Sequence, residues 1–324
     1  IPIVCLYLLQ CLLVPKYASD IKEGAMIKEY YNSEKNHDVL ILGDCEVYEN
    51  ISTVTMWENY GISSYIRGSA EQLIWQSYYL LEDTLKYEKP QVVIVNVLAM
   101  TESDAKNEAY NRMTLDGMKL SKYKIASIRE SMTEEENMAS YIFPLLRYHS
   151  RWSELSSEDF RYMWKTPSVT TNGYLMQKGV RPVKTIPKAA PLANYTFSDR
   201  NMEYLDKIYS LCKDNGINLV LMKAPSVYPH WYDEWDKQVS DYAYEHGILY
   251  LNTINEAGNI GIDYTTDTFD YGQHLNVEGA EKLSLYLGEQ LVKNFRLTDH
   301  RQDESYKNAW QSIVNKYYEE KQGD

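Results

Sequence analysis

Five short runs of apolar or β-branched residues recur along the chain, and most are separated by stretches of helical period. The runs cover residues 39–42, 62–66, 91–97, 217–222 and 248–251, and turn residues close them at Gly43-Asp44, Arg67-Gly68-Ser69 and Lys223-Ala224-Pro225. Continuous apolar runs of this length read as strands buried on both faces, the signature of a parallel sheet. Helical spacing follows at residues 46–60, with Val47, Ile51, Val54 and Trp57 on one face, and again at about 70–86, 199–215, 231–245 and 277–295. A helix between two such strands makes a right-handed βαβ unit. The pattern predicts a three-layer α/β/α, flavodoxin-like domain with a five-stranded parallel sheet.

Residues 101–200 interrupt this rhythm. They hold no comparable strand run. Thr133-Glu134-Glu135-Glu136 reads as a helix start, residues 141–160 are aromatic and helical, and residues 170–183, with Gly173 and Gly179, suggest a hairpin. We read 101–200 as an insertion over the carboxyl edge of the sheet, a lid or substrate platform. The core domain then spans 37–296. Residues 297–324 are charged but keep Trp310, Ile313 and Tyr317 at helical spacing, as a docked amphipathic helix does.

The N-terminal end has a different character. Residues 1–14 are apolar except for Gln10, which is too short to span a bilayer. Pro15, Lys16 and a polar stretch follow. The expectation is that residues 1–17 are part of a single-pass membrane anchor, with 18–36 a juxtamembrane linker and the domain outside the cell. A buried core helix is the alternative.

Composition narrows the chemistry. The 324 residues carry a net charge of −13 with no basic stripe, which argues against nucleic acid. The 30 tyrosines and seven tryptophans are read mainly as packing, with some suited to a carbohydrate platform. Four cysteines, Cys5, Cys11, Cys45 and Cys212, give neither a disulfide framework nor a metal spacing. No phosphate-cradling glycine loop is present, so no cofactor and no metal are expected.

Cys45 follows the first strand and its Gly-Asp turn, at the start of a helical stretch. Ligands of open α/β sheets bind at this edge. A helix N-terminus or a paired histidine would lower the thiol from its ordinary value of about 8.5. His274 is the best-placed base, since it lies on a loop before a helix. His149, in Arg147-Tyr148-His149-Ser150-Arg151-Trp152, competes, whereas His37, His230, His246 and His300 have no comparable setting. Asp270 is the acid that would orient His274, with Asp267 in reserve.

Gly43-Asp44-Cys45 resembles the Gly-Asp-Ser block that opens the SGNH/GDSL hydrolase family, with Cys in place of the nucleophilic Ser. Asp270-Tyr271-Gly272-Gln273-His274 resembles the closing Asp/His block, although the family spacing is Asp-x-x-His. The resemblance implies a Cys45–His274–Asp270 triad. It also implies an oxyanion hole from the amides of Cys45 and Gly68 and the side chain of Asn96, which here stands in Val95-Asn96-Val97-Leu98. Arg147, His149 and Trp152 would then reach substrate from the insertion. An anchored member with a large insertion looks like those that work beside membrane-bound O-acyltransferases, including the D-alanyl-transfer protein of teichoic acids. That likeness implies an acyl esterase or O-acyltransferase acting on a surface polysaccharide or teichoic acid. The rival reading is a protein of the same fold that has lost its nucleophile and binds a glycan or a partner.

Overall fold

A computed structural model describes residues 2–105, 107–186 and 188–323. In chain order the helices and strands are α1 (Pro2–Leu13), α2 (Ala25–Glu29), β1 (Val39–Gly43), α3 (Cys45–Tyr48), α4 (Thr53–Tyr60), β2 (Ser64–Gly68), α5 (Ile74–Thr84) and β3 (Val92–Asn96). The segment between β3 and the next strand holds α6 (Glu108–Leu115), α7 (Lys122–Ser131), α8 (Met138–Ile142), α9 (Leu145–Tyr148), α10 (Ser157–Arg161) and α11 (Asp199–Asp214). The chain then runs through β4 (Asn218–Lys223), α12 (Asp233–His246), β5 (Leu249–Asn252), α13 (Ala257–Ile260), α14 (Val277–Asn294) and α15 (Glu304–Gln322).

The strands form one parallel sheet in the order β2-β1-β3-β4-β5. That is the doubly wound, flavodoxin-like order, with its switch point beside β1. Alternation along each strand sorts side chains to the two faces. Leu40, Leu42, Val93, Val95, Leu219 and Leu221 pack with α5, α11 and α12, around Trp75, Leu80 and Ile208. Val39, Ile41, Ile94, Val220 and Met222 pack with α4, α14 and α15, around Trp57, Leu287 and Trp310. Both faces are buried, which is why the strands read as continuous apolar runs rather than as alternating ones.

Several expectations need correction. The helix expected over 46–60 is two helices, because Ser52 caps a new start: its Oγ accepts the Thr55 N–H at 3.1 Å. The hairpin expected over 170–183 is a single tight turn, with Thr171 bridged to Tyr174. Residues 18–36 are not simply a linker, since Met26, Ile27 and Tyr30 are buried in the core. The single-pass anchor is overturned, and with it the membrane as a partner through the N-terminal helix. No helix among the described residues is long and apolar enough to cross a membrane. Helix α1, with 12 residues, spans about 18 Å at 1.5 Å per residue, against a hydrocarbon core of roughly 30 Å. It lies instead against α9 and α10, and the Leu13 carbonyl accepts a 2.6 Å hydrogen bond from Arg151.

Candidate active site

The site grows from the turn after β1. Asp44 caps α3, its Oδ1 accepting the Glu46 N–H at 3.0 Å, and Cys45 is the first residue of that short helix. Gly43 and Gly68 lie side by side in the β1–β2 register. A Cβ at Gly68 would meet the Gly43 carbonyl oxygen at 3.0 Å and Val47 at 3.1 Å, so the strand end beside the Cys45 turn has no room for a side chain. A Cβ on Gly43 would likewise meet the Asn96 side chain at 2.8 Å.

The histidine arrives on the loop before α14. His274 donates twice to one carboxylate: its backbone N–H to Asp270 Oδ1 at 2.8 Å and its ring Nδ1 to Asp270 Oδ2 at 2.6 Å. Pinning Nδ1 as the donor leaves Nε2 as the proton acceptor. Thr268 closes the loop, its Oγ1 donating to the His274 carbonyl at 2.8 Å and accepting the Gly272 N–H at 2.7 Å. The additional residue relative to Asp-x-x-His is taken up by two consecutive left-handed residues, Tyr271 at φ 66° and Gly272 at φ 90°. Asp267, the reserve acid, is buried and paired with Lys282 at 2.6 Å. Asp270 is therefore the carboxylate that meets His274.

Glu49 links the two halves. Its backbone N–H donates to the Cys45 carbonyl at 3.1 Å, and its carboxylate lies 3.2 Å from His274 Nδ1. It was not singled out in the sequence, yet the signal was there: an acid four residues after Cys45 shares its helical face. Burial would lower the His274 pKa, but the hydrogen bond to Asp270 and the charges of Glu49, Asp270 and Glu46 outweigh it and hold the ring above its ordinary value. Burial raises Glu49.

The thiol behaves oppositely to expectation. Cys45 is only partly exposed, and burial is the first cause that pushes it well above the ordinary thiol range. The charges of Asp44, Glu49, Glu46 and Glu71 add to that rise. A one-turn helix N-terminus does not offset four carboxylates. The surroundings favour a neutral thiol over a resting thiolate.

Asn96 stands in a hydrogen-bond network beside the turn. It is fully buried, and its Nδ2 donates to Glu46 Oε2 at 2.9 Å and to Asp44 Oδ1 at 3.2 Å, so both amide hydrogens are already committed. These bonds tie the end of β3 to the Cys45 turn. The same network contains Lys223, at the end of β4. Its Nζ donates to both Glu46 oxygens at 2.7 and 2.9 Å and to the Ala224 carbonyl at 2.9 Å. Burial and the Glu46 charge raise Asp44 to about 7. Sequence reading missed this lysine because its partner lies 177 residues away.

The insertion does not bring its named residues to this site. Arg147 pairs with Glu23 at 2.7 Å and Glu108 at 3.0 Å, His149 Nδ1 lies 3.1 Å from the Leu146 carbonyl, and Trp152 is 72% exposed on the side where α1 packs. Residues 172–183 run beside the site instead. Gln177 donates to Glu49 at 2.8 Å, and Leu175 N–H to the Tyr48 carbonyl at 2.7 Å. Of the remaining histidines, His37 pairs with Glu88, His246 sits on the Tyr242 carbonyl, and His300 meets Asp38 and stacks on Tyr306.

No family model matches the chain, and no curated protein matches it. Solved structures do. One is a protein named as a lipolytic member of the G-D-S-L family from Desulfitobacterium hafniense, at 13% identity, covering 79% of this chain and 100% of that one with a TM-score of 0.39. A protein from Bacteroides fragilis named as an acylhydrolase is 12% identical, with 86% and 99% covered and a TM-score of 0.40. A GDSL-like lipase from Bacteroides thetaiotaomicron is 11% identical, with 84% and 100% covered and a TM-score of 0.41.

Proposed function

We propose that the chain is an SGNH-type acyl-ester hydrolase in which Cys45 is the nucleophile, His274 the general base and Asp270 the residue that orients it. The observation that carries this reading is the doubly hydrogen-bonded His274–Asp270 pair, at 2.8 and 2.6 Å, sharing Glu49 with Cys45 at the carboxyl edge of the sheet. Cys45 Sγ attacks the ester carbonyl as its proton passes to His274 Nε2. The tetrahedral oxyanion is held by backbone amides, those of Cys45 and Gly68 being the candidates. The C–O bond then breaks and His274 protonates the departing alcohol. Water, deprotonated by His274, releases the acid from the thioester. A sugar hydroxyl in place of that water would make the same site a transferase.

Hydrolysis of 4-nitrophenyl acetate by the wild type, lost in Cys45→Ala and reduced at least about 100-fold in His274→Ala, is the expected result. Hydrolysis unchanged in either variant would sink the reading. The raised thiol favours one other reading, a ligand-binding protein of the same fold without turnover. It predicts no hydrolysis of any ester by a folded wild type.

A further inference from the structure

A second cavity, of about 450 Å³, lies between α1, α2, the start of α7 and the α8–α10 segment. In a chain of net charge −13 its charged lining is unusual: five lysines against two carboxylates, Glu23 and Asp116, among the described residues. Both acids are already matched. Asp116 accepts from Arg112 Nη1 at 3.0 Å, and Glu23 accepts from Arg147 at 2.7 Å and also from Tyr17 and Tyr148. Lys124 is not matched in the same way. It is 5% exposed and lines the cavity; its Nζ makes no hydrogen bond or ion pair among the described residues but is not itself fully enclosed. Burial lowers it to about 8, with the Arg112 charge acting in the same direction and the Asp116 charge against it. Lys16, also buried, donates to the Cys11 carbonyl at 2.6 Å and to the Leu12 and Val14 carbonyls, and burial lowers it to about 8. Lys28 stands exposed at the rim. The remaining wall mixes polar groups, such as Gln10, Asn32 and Thr166, with apolar and aromatic ones, among them Tyr141, Met118 and Trp164.

A lysine this largely buried, facing a cavity whose acid Asp116 is already paired with Arg112, is better satisfied when an anion enters beside it. We infer that this cavity binds an organic anion, a carboxylate or phosphate bearing an apolar body, with Lys124 as its principal charge partner and the aromatic wall against the body. This does not depend on the chemistry at Cys45, since the two sites share no lining residue named here.

The test is isothermal titration of the whole chain with octanoate and with octanamide, its neutral counterpart. Octanoate should bind at least about tenfold tighter than octanamide, and Lys124→Met should remove that preference. Lys28→Gln, at the exposed rim and safe for folding, should weaken octanoate binding a few-fold, while Lys207→Gln on α11 should leave it unchanged. The inference is overturned if octanoate does not bind, if octanamide binds equally well, or if a folded Lys124→Met binds octanoate as the wild type does. Should Lys124→Met fail to fold, an unchanged affinity in Lys28→Gln overturns it.

Discussion

Replacing Lys223 by Met tests how the Cys45 turn is held. Lys223 and Glu46 are 0% and 1% exposed, and all three ammonium hydrogens have acceptors, at 2.7, 2.9 and 2.9 Å. At 2.7 Å and an effective dielectric of 20, the gross attraction is about 6 kcal/mol. The pair's net worth is smaller because both charges are desolvated. Removing one partner leaves the other buried and uncompensated, which costs about 3–5 kcal/mol. Here the orphan would be Glu46, left with the Asn96 amide at 2.9 Å and with Asp44 as a charged neighbour. A loss of that size is a large fraction of the roughly 5–15 kcal/mol typical of folded proteins. Urea unfolding at neutral pH, followed by tryptophan fluorescence, reads it directly. The double variant Glu46→Gln/Lys223→Met should recover at least half of the loss, because no unpaired charge remains. A loss below about 1 kcal/mol in Lys223→Met, or strict additivity in the double variant, would refute the reasoning.

Three further outcomes are expected. Cys45 should alkylate with iodoacetamide with a pH midpoint above the ordinary thiol value of about 8.5, since burial and carboxylates raise it; a midpoint below that value would mean a thiolate site. Asp44→Asn should flatten stability between about pH 4 and 7. The wild-type carboxyl, raised in the folded state, favours folding only while protonated, so stability falls as pH climbs through that window; a variant with the same slope as wild type would contradict this. Cys45→Ser should keep or increase ester hydrolysis, because a base held as His274 is by Asp270 can activate a hydroxyl in the same way; abolished activity in a folded serine variant would show a site adapted to sulfur.

The sheet was legible because its strands are buried on both faces. Runs expected to begin at 39, 62, 91, 217 and 248 begin at 39, 64, 92, 218 and 249. The long helices were legible for the same reason, since each presents one apolar stripe to the sheet. At the site, Cys45, His274 and Asp270 stand out through turn residues and local spacing, and the structure brings the last two into contact. Lys223 could not be read, because a lone lysine ending an apolar strand gives no hint of a glutamate on a distant turn. Asn96 was noticed as a polar residue in an apolar strand, but its partners decide its role, and they are carboxylates. The anchor expectation is contradicted because no helix among the described residues is long and apolar enough to cross a membrane and α1 packs on α9 and α10; hydropathy alone does not distinguish a short packed helix from part of a longer span. The expected lowering of the thiol is reversed because burial, and after it the carboxylates of Asp44, Glu49, Glu46 and Glu71, raise it, while helix-end polarity is weak over one turn.

The measurement that bears most directly on Cys45 as acyl acceptor is peptide mass spectrometry after brief incubation with 4-nitrophenyl acetate and acid quenching. A single acetyl group on the peptide containing Cys45, absent from Cys212 and strongly diminished in His274→Ala, is the predicted result. Acetylation of Cys45 that is no faster than that of the exposed Cys5, and indifferent to His274→Ala, would contradict it.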